Sequence, residues 1–190
     1  MRAELREDVA RYRSKDGRRI DVWVNPAFWA IAWYRFGTFV YQGTLPRILR
    51  APLKIVHFAG GLFCEALLQM RLPPNAEIGG GLCISHVGGV VLHPRVVIGR
   101  NCDLSHQVTI GTAGLGRTAV PRIGHDVSIG AGAVLIGDIR IGDGAHIAAN
   151  SLVNRDVPAG ATVMGVPAKI VKYGETNQNL REEASKLASL

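Results

Sequence analysis

The chain has 190 residues, a length that suits one compact domain with a small appendage. Its formal net charge of +7 favours acidic partners such as phosphate groups, but no nucleic-acid-reading motif accompanies the charge, so we expect no nucleic-acid partner. Three cysteines without CxxC spacing exclude a disulfide framework. With no signal-peptide pattern at the start, we expect a cytoplasmic protein, in solution or at the inner face of the membrane.

Residues 1–74 predict an N-terminal α-helical region. The first 20 residues predict a charged helix, and Asn25 followed by Pro26 is typical of a helix start. A further apolar helix runs to about Met70, and two consecutive prolines then end the region. The sequence thus predicts three main helices ahead of the rest of the chain.

The apolar character of this helical region has two explanations. Its longest apolar run, 55–70, is interrupted by polar residues, and we interpret it as too short to span a bilayer. The aromatic side chains of residues 23–39 are interleaved with arginines, a pattern that fits either a membrane surface or packing against the protein itself. We expect packing at an oligomer axis, with peripheral membrane contact through the helices as the alternative.

Isoleucine, leucine or valine recurs at every sixth position through the second half of the chain. A helix places apolar residues about 3.6 positions apart and a simple strand places them two apart, so neither explains a period of six. Three hexads per coil, each contributing one flat face and one corner, explain it and predict a parallel β-helix over residues 75–173. A second track of small or apolar residues lies four positions after the first. The first track includes Ile123, Ile129, Leu135, Ile141, Ile147 and Val153, and the second includes Val127, Ala133, Ile139, Ala145, Ser151 and Val157.

The hexads are interrupted twice. A slip of two residues precedes Leu92, and residues 112–120 leave the coil and rejoin it in the same register. Such an excursion predicts an extruded loop, and insertions of this kind cluster on the binding face of repeat proteins. Residues 174–190 predict a short C-terminal helix with a capping box of Asn179 and Glu182. The predicted fold is therefore mainly β, flanked by helices at both ends.

Four segments within these hexads resemble the hexapeptide acyltransferases, and among them most closely the serine acetyltransferases. The resemblance implies that the β-helix is left-handed, that the chain forms a homotrimer, and that acetyl-CoA is the acyl donor. The segments are Ile84-Ser85-His86, Val108-Thr109-Ile110-Gly111-Thr112, Ile129-Gly130-Ala131-Gly132-Ala133 and Gly165-Val166-Pro167-Ala168-Lys169-Ile170-Val171.

His86 matches the catalytic histidine of that family. Moving an acetyl group from a thioester to a hydroxyl requires a base, because an alcohol is barely ionised at neutral pH and an imidazole can accept its proton. From the residues alone, the alternative is a corner histidine that bonds a backbone carbonyl. His106 lies within a later hexad, where we expect it to face the cleft covered by the loop and to contact the acceptor.

The resemblance also implies a set of acetyl-CoA contacts. Gly111, Ala131 and Ala149 match positions where small residues let backbone amides meet the pantetheine arm, although any β-helix corner favours small residues. His146 and Lys169 are candidates for the phosphates, with an ordinary solvated basic face as the alternative. No histidine pair has ligand spacing with a cysteine, so we expect no metal.

The chain departs from the serine acetyltransferase pattern at the positions that the resemblance assigns to the amino-acid acceptor. Arg71 stands where the family has the aspartate that orients the histidine, and Ser85 stands where it has the acid for the substrate amine. Ala119 and Val120 replace the pair that grips the substrate carboxylate. A zwitterion needs a fixed cation and a fixed anion, so these losses argue against free serine.

Two charged residues remain as candidates for binding the acceptor, because Asp16 matches the family and Arg117 lies in the extruded loop. With Ser85 and His106 they complete the predicted acceptor site. We expect an O-acetyltransferase acting on a saccharide unit, with L-serine O-acetylation as the alternative and a non-catalytic scaffold as the second alternative. Which group orients His86 stays open at the level of sequence.

Overall fold

The computed structural model describes residues 2–16, 21–114 and 116–173, so the predicted C-terminal helix at 174–190 lies outside the described residues. Four helices precede the β-helix: α1 (Arg2–Asp16), α2 (Asp21–Val24), α3 (Pro26–Gln42) and α4 (Arg47–Phe63), the last continued by a π-helical turn at Cys64–Leu68. Helix α3 begins where the sequence predicts, because the Asn25 side chain accepts a hydrogen bond from the Ala27 amide and Pro26 occupies the first turn.

Helix α4 is longer and more exposed than the sequence suggested. With its π-helical turn it runs without a break for 22 residues, from Arg47 to Leu68. The most apolar 18 consecutive residues of this helix have a mean hydropathy of 1.4. By length and composition alone this helix is able to cross a membrane, so the interpretation of the run as too short is wrong. The helix begins at Arg47, ahead of the apolar run at 55–70, and continues through the polar residues His57 and Glu65 that interrupt that run.

One side of α4 packs on α3 and the other side has no partner among the described residues. His57 is buried against Trp33, whose ring stacks on it with centroids 5.7 Å apart, and Gly37 leaves room for the imidazole. The opposite side, which we call the outer face of α4, carries exposed apolar side chains along its whole length. They are Ile48, Leu49, Ile55, Val56, Phe58, Leu62, Phe63 and Leu67.

Three parallel sheets form the faces of a prism, and their strands are as follows. Face A contains β1 (Met70–Arg71), β4 (Val90–Leu92), β7 (Thr109–Gly111), β10 (Val134–Ile136) and β13 (Leu152–Val153). Face B contains β2 (Glu77–Ile78), β5 (Val97–Ile98), β8 (Arg122–Ile123) and β11 (Arg140–Ile141). Face C contains β3 (Cys83–Ile84), β6 (Asp103–Leu104), β9 (Ser128–Ile129), β12 (His146–Ile147) and β14 (Thr162–Gly165), with β15 (Ala168–Lys172) added antiparallel to β14.

Each coil passes from face B to face C and then to face A, which confirms the predicted parallel β-helix. The corners between faces C and A form one edge of the prism, which we call the histidine edge; it contains residues 85–89, 105–108, 130–133 and 148–151. The corners between faces A and B form a second edge, which we call the loop edge because residues 112–121 leave from it.

Both hexad tracks point into the prism. Every member of the first track between residues 123 and 153, and every member of the second between 127 and 157, is less than 5% exposed. Burial of a leucine or isoleucine side chain contributes about 1.5–3 kcal/mol. The period of six therefore reports the inward-facing column of each face, as the sequence predicts.

A buried ion pair fastens the helical region to the first coil. Asp8 on α1 accepts two hydrogen bonds from the Arg35 guanidinium on α3, at 2.8 and 3.1 Å, and a third from the Leu82 amide at 2.9 Å. Arg35 also donates to the carbonyls of Ile78 and Gly79. Burial raises the pKa of the Asp8 carboxyl, while the guanidinium acts in the opposite direction.

The outward sides of the three faces differ in polarity. Below Arg71, the outward column of face A is Val91, Thr109, Val134 and Leu152, which pair in sequence down the sheet. The outward column of face B is mostly charged, with Glu77, Val97, Arg122 and Arg140. Face C presents Asp103, Ser128, His146 and Thr162. Face A is thus the apolar side of the prism.

Candidate active site

Strand register stacks four of the predicted site residues on the histidine edge. Ile84 pairs with Leu104, Leu104 with Ile129, and Ile129 with Ile147. The residue two positions after each of these therefore occupies the same corner of successive coils. These corner residues are His86, His106, Ala131 and Ala149. The last three repeat in strict register, whereas the two-residue slip lies in the His86 corner, where the Gln107 amide donates to the Gly88 carbonyl. Two imidazoles therefore share this edge with two small side chains.

The two histidines are in contact. Their ring centroids are 5.9 Å apart and the ring planes meet at 68°, an edge-to-face arrangement. His86 is exposed, whereas His106 is half-buried. The Nδ1 atom of His106 is buried and has no hydrogen-bond partner among the described residues.

A depression of about 350 Å³ lies beside His86 and is formed jointly by the helical region and the β-helix. Ser85 and Val87 line it from the corner, and Asn25 and Pro26 line it from the start of α3, together with the preceding valine. None of these side chains is charged. The sequence marked Asn25 and Pro26 only as a helix start; hexad spacing holds no signal that this turn lies beside the base.

Two of the predicted contacts lie on the loop edge. Gly111 ends β7 at the far side of face A from the histidines, and Arg117 lies in the extruded loop that follows it. The guanidinium of Arg95 donates a hydrogen bond to the Thr118 carbonyl, which holds the loop against the loop edge. Within one chain, the loop therefore lies on the loop edge, whereas His106 lies on the histidine edge.

The remaining predicted site residues lie elsewhere. His146 is exposed on the outward side of face C, between Ser128 and Thr162. Lys169 lies on β15 opposite Met164, at the bottom of the prism. The Asp16 side chain lies outside the described residues. The cofactor candidates thus divide between the histidine edge, the loop edge and face C.

Arg71, which stands where the resemblance places an orienting aspartate, is the first residue of the outward column of face A. Its guanidinium lies 4.0 Å from the Glu65 carboxylate, and both side chains are exposed. In the described part of the chain, no carboxylate forms an ion pair or a recorded hydrogen bond with His86 or His106. Within the described residues, each of the two imidazoles thus has the other as its ring contact at this edge.

The cysteines are unsuited to nucleophilic catalysis. Cys83 and Cys102 are buried in the β-helix. Burial raises the pKa of the Cys102 thiol to about 11, which keeps it protonated at neutral pH.

Over residues 2–16, 21–114 and 116–173, no group of three or more histidine, cysteine or acidic side chains is placed to hold a metal ion. Imidazole is thus the one base type that this edge presents in the described structure.

Comparison with known proteins agrees with the fold. A family model described as bacterial transferase hexapeptide (six repeats) matches residues 121–155. The chain superimposes on the crystal structure of serine acetyltransferase from Brucella abortus strain S19 in complex with coenzyme A, with a TM-score of 0.80 and 30% identity. This match covers 91% of the present chain and 68% of the Brucella chain.

Two curated relatives show how far the likeness extends in sequence. The serine acetyltransferase of Helicobacter pylori strain J99 is 33% identical over 147 residues, which is 77% of this chain and 81% of that protein. The serine acetyltransferase of Buchnera aphidicola subsp. Schizaphis graminum is 39% identical over 125 residues, 64% of this chain and 48% of that protein. The chain spans about half the length of this relative and more of others. With hexads, prism and relatives in agreement, the chain belongs to the serine acetyltransferase family.

Proposed function

We propose that this protein is an acetyl-CoA-dependent O-acetyltransferase in which His86 is the general base. The observation that carries the proposal is an exposed imidazole at the top of a column of small residues on the histidine edge. An imidazole in an open corner is accessible to an acceptor hydroxyl, and the depression beside it gives that acceptor a place to bind.

His86 has one role in this reaction, which is to carry the proton of the acceptor hydroxyl to the departing sulfur. The imidazole accepts the proton of the acceptor hydroxyl while its oxygen bonds to the acetyl carbon. The carbon–sulfur bond then breaks, and the imidazolium returns the proton to the departing sulfur, so the base is regenerated. Thiolate is a good leaving group because thiols have pKa values near 8.5, so the difficult step is activation of the alcohol.

The small residues below His86 suit the thin arm of the donor. Ala131 and Ala149 carry only a methyl group at their corners, which leaves space for the arm beside the backbone. The amides that flank them, those of Gly130, Gly132, Ala148 and Asn150, already donate to adjacent coils. In the next coil the position that corresponds to Ala149 is Gly165, because Ile147 on β12 pairs with Val163 on β14. The Brucella relative, solved with coenzyme A, supports this class of donor.

Two acceptors remain in view, each favoured by a different observation. The names of the relatives favour L-serine over the saccharide unit that the lost acceptor residues suggested. The uncharged lining of the depression beside His86 favours an acceptor with a neutral hydroxyl, such as a sugar. We place L-serine first, because the likeness to a serine acetyltransferase structure covers 91% of the chain.

A coenzyme A release assay separates these acceptors. Purified protein is supplied with acetyl-CoA and either L-serine, serinol, or a panel of mono- and oligosaccharides. Turnover of L-serine with a KM in the micromolar to millimolar range, and poor turnover of serinol, which lacks the carboxylate, supports the amino-acid acceptor. Turnover of a sugar in preference to both supports the saccharide. Failure to bind acetyl-CoA at all overturns the enzyme and supports a scaffold.

We further propose that three copies assemble through face A and the outer face of α4. Both surfaces are mostly apolar, and α4 with its π-helical turn leads into β1 at the top of face A, with the exposed pair of Glu65 and Arg71 at the junction. An apolar surface of this extent on a chain with a net charge of +7 is expected to be covered. A neighbouring copy covers both parts at once, which favours it over a lipid surface.

This assembly also completes the candidate site. Face A lies between the histidine edge and the loop edge, so packing through face A brings the loop edge of one copy to the histidine edge of the next. Gly111 and Arg117 of one chain would then face His86 and His106 of its neighbour. The separation of these residues within one chain becomes a consequence of a site shared between copies.

Val134→Arg is expected to break this assembly. The substitution places a charge in the middle of the outward column of face A, where a partner would have to bury it. Light scattering is expected to give three times the chain mass of 20.4 kDa for the wild type and a smaller mass for the variant. The matched control is Val97→Arg on the outward side of face B.

The control variant Val97→Arg should keep the wild-type mass. If the wild type is monomeric, the outer face of α4 needs another occupant, and flotation with anionic phospholipid vesicles then tests the predicted membrane contact. If the wild type is trimeric and does not float with the vesicles, the predicted membrane contact is excluded.

A further inference from the structure

We infer that His106 is the positioning residue of this site, holding the His86 imidazole through its Nδ1 atom in the role that the resemblance gives to a carboxylate. The inference rests on the proposed function of His86 as the base and answers which group orients it. His106 itself does not exchange a proton with the acceptor; it fixes the direction in which His86 presents its basic nitrogen.

The first argument is distance. Two imidazoles joined by one in-line N–H···N hydrogen bond have ring centroids about 5 Å apart, since the bond itself spans about 2.9 Å. The centroids of His86 and His106 are 5.9 Å apart in their edge-to-face contact. The inference requires the His86 ring to rotate so that one of its nitrogens comes within bonding distance of His106 Nδ1, and that ring is exposed. The register of β3 and β6 holds the two backbones in place for it.

The second argument is the unpaired atom. Buried polar atoms in folded proteins are nearly always hydrogen-bonded, and an exception calls for a reason such as a catalytic role. His106 Nδ1 is buried and has no hydrogen-bond partner among the described residues, although the ring touches His86. A hydrogen bond from a His86 N–H would satisfy it without moving the backbone.

The third argument is what His86 lacks without this bond. Its ring is exposed on a corner, and the residue in the family's orienting position, Arg71, is a cation that lies beside Glu65. With an N–H of His86 donated to the Nδ1 lone pair of His106, the other His86 nitrogen keeps its lone pair for the acceptor proton. When His86 takes that proton it still donates the same bond, so His106 stays neutral throughout the step.

The orphan atom also predicts which substitutions preserve the role. An asparagine amide lies near the position of Nδ1, whereas a glutamine amide lies near the position of Nε2. We therefore compare His106→Asn, His106→Gln and His106→Ala. The matched control is His125→Asn on the edge between faces B and C. His125 Nδ1 accepts a hydrogen bond from the Arg100 backbone amide, and the asparagine side chain would take the place of that nitrogen.

The expected result is a fall in kcat of about 10- to 100-fold for His106→Ala, the range seen when a group that orients a functional histidine is removed. KM for acetyl-CoA should stay within about twofold, because the small-residue column is unchanged. His106→Asn should keep more activity than His106→Gln, and His125→Asn should match the wild type. Added imidazole should restore part of the His106→Ala activity.

Nuclear magnetic resonance of the 15N-labelled ring of His86 tests the same bond without turnover. One neutral tautomer should predominate in the wild type and in His106→Asn, and a mixture should appear in His106→Ala. The tautomer is measured without an acceptor, so this experiment tests the His86–His106 bond even if the proposed function is wrong. An unchanged tautomer in His106→Ala, or a loss confined to the acceptor KM, would overturn the inference.

Discussion

His86→Ala is expected to lower kcat by about 10²- to 10⁴-fold, the usual contribution of a positioned general base. The imidazole is the group that accepts the hydroxyl proton, and the alanine variant leaves that proton to solvent. Because His86 is exposed, the variant should unfold at the same denaturant concentration as the wild type. Single-turnover kinetics with acetyl-CoA, together with equilibrium binding of coenzyme A, separate the chemical step from donor binding.

The matched control for this experiment is Ser85→Ala at the preceding corner position, which removes a hydroxyl from the depression while leaving the base. It should affect mainly the KM of the acceptor. Equal activity of His86→Ala and the wild type would contradict the assignment of the base. Loss of coenzyme A binding in His86→Ala would instead give the ring a role in holding the donor.

Arg35→Met is expected to cost about 3–5 kcal/mol in the free energy of unfolding, because it leaves the buried Asp8 without its counter-charge. Asp8 is fully buried and Arg35 is 3% exposed, so water cannot replace the lost partner. The variant also removes the Arg35 bonds that join α3 to the first coil, although the Tyr12 and Tyr34 hydroxyls still bond there, and α3 begins at the turn that lines the depression beside His86. Urea denaturation followed by circular dichroism gives the free energy.

The surface pair of Glu7 and Arg100 provides the control for the buried pair. Their side chains are 34% and 59% exposed, and exposed pairs contribute less than about 1 kcal/mol. Arg100→Met should therefore change stability far less than Arg35→Met. If the two variants lose similar free energy, the Asp8–Arg35 pair does not fasten the helices to the prism. An Asp8→Leu, Arg35→Met double variant should recover part of the loss.

The β-helix was predictable from the sequence because its inward side chains obey one strict rule. Ile129, Leu135 and Ile141 must each fill the interior of a face, so their period appears in the letters themselves. The same spacing, corrected for the two-residue slip, places His106 one coil below His86. That stacking was available from the sequence, whereas the prediction that His106 faces a cleft covered by the loop stays a prediction, because within one chain the loop lies on another edge.

The docking of the helical region was not predictable in the same way. The turn at Asn25 lies beside His86 because Tyr12 and Arg35 bond to the backbone of the first coil, and such contacts between distant segments leave no periodic signal. The spanning length of α4 was underestimated for a related reason. The apolar run was taken to start at Ile55, whereas the helix begins at Arg47, and His57, which interrupts the run, is buried against α3.

A crystal structure of the protein with coenzyme A tests the central claim most directly, since that claim places the donor on the histidine edge beside His86. The account predicts the sulfur within about 4 Å of the His86 ring, the separation at which groups are poised to react. Its pantetheine arm should then lie along Ala131 and Ala149. A sulfur bound on another edge, or far from both histidines, would contradict the account.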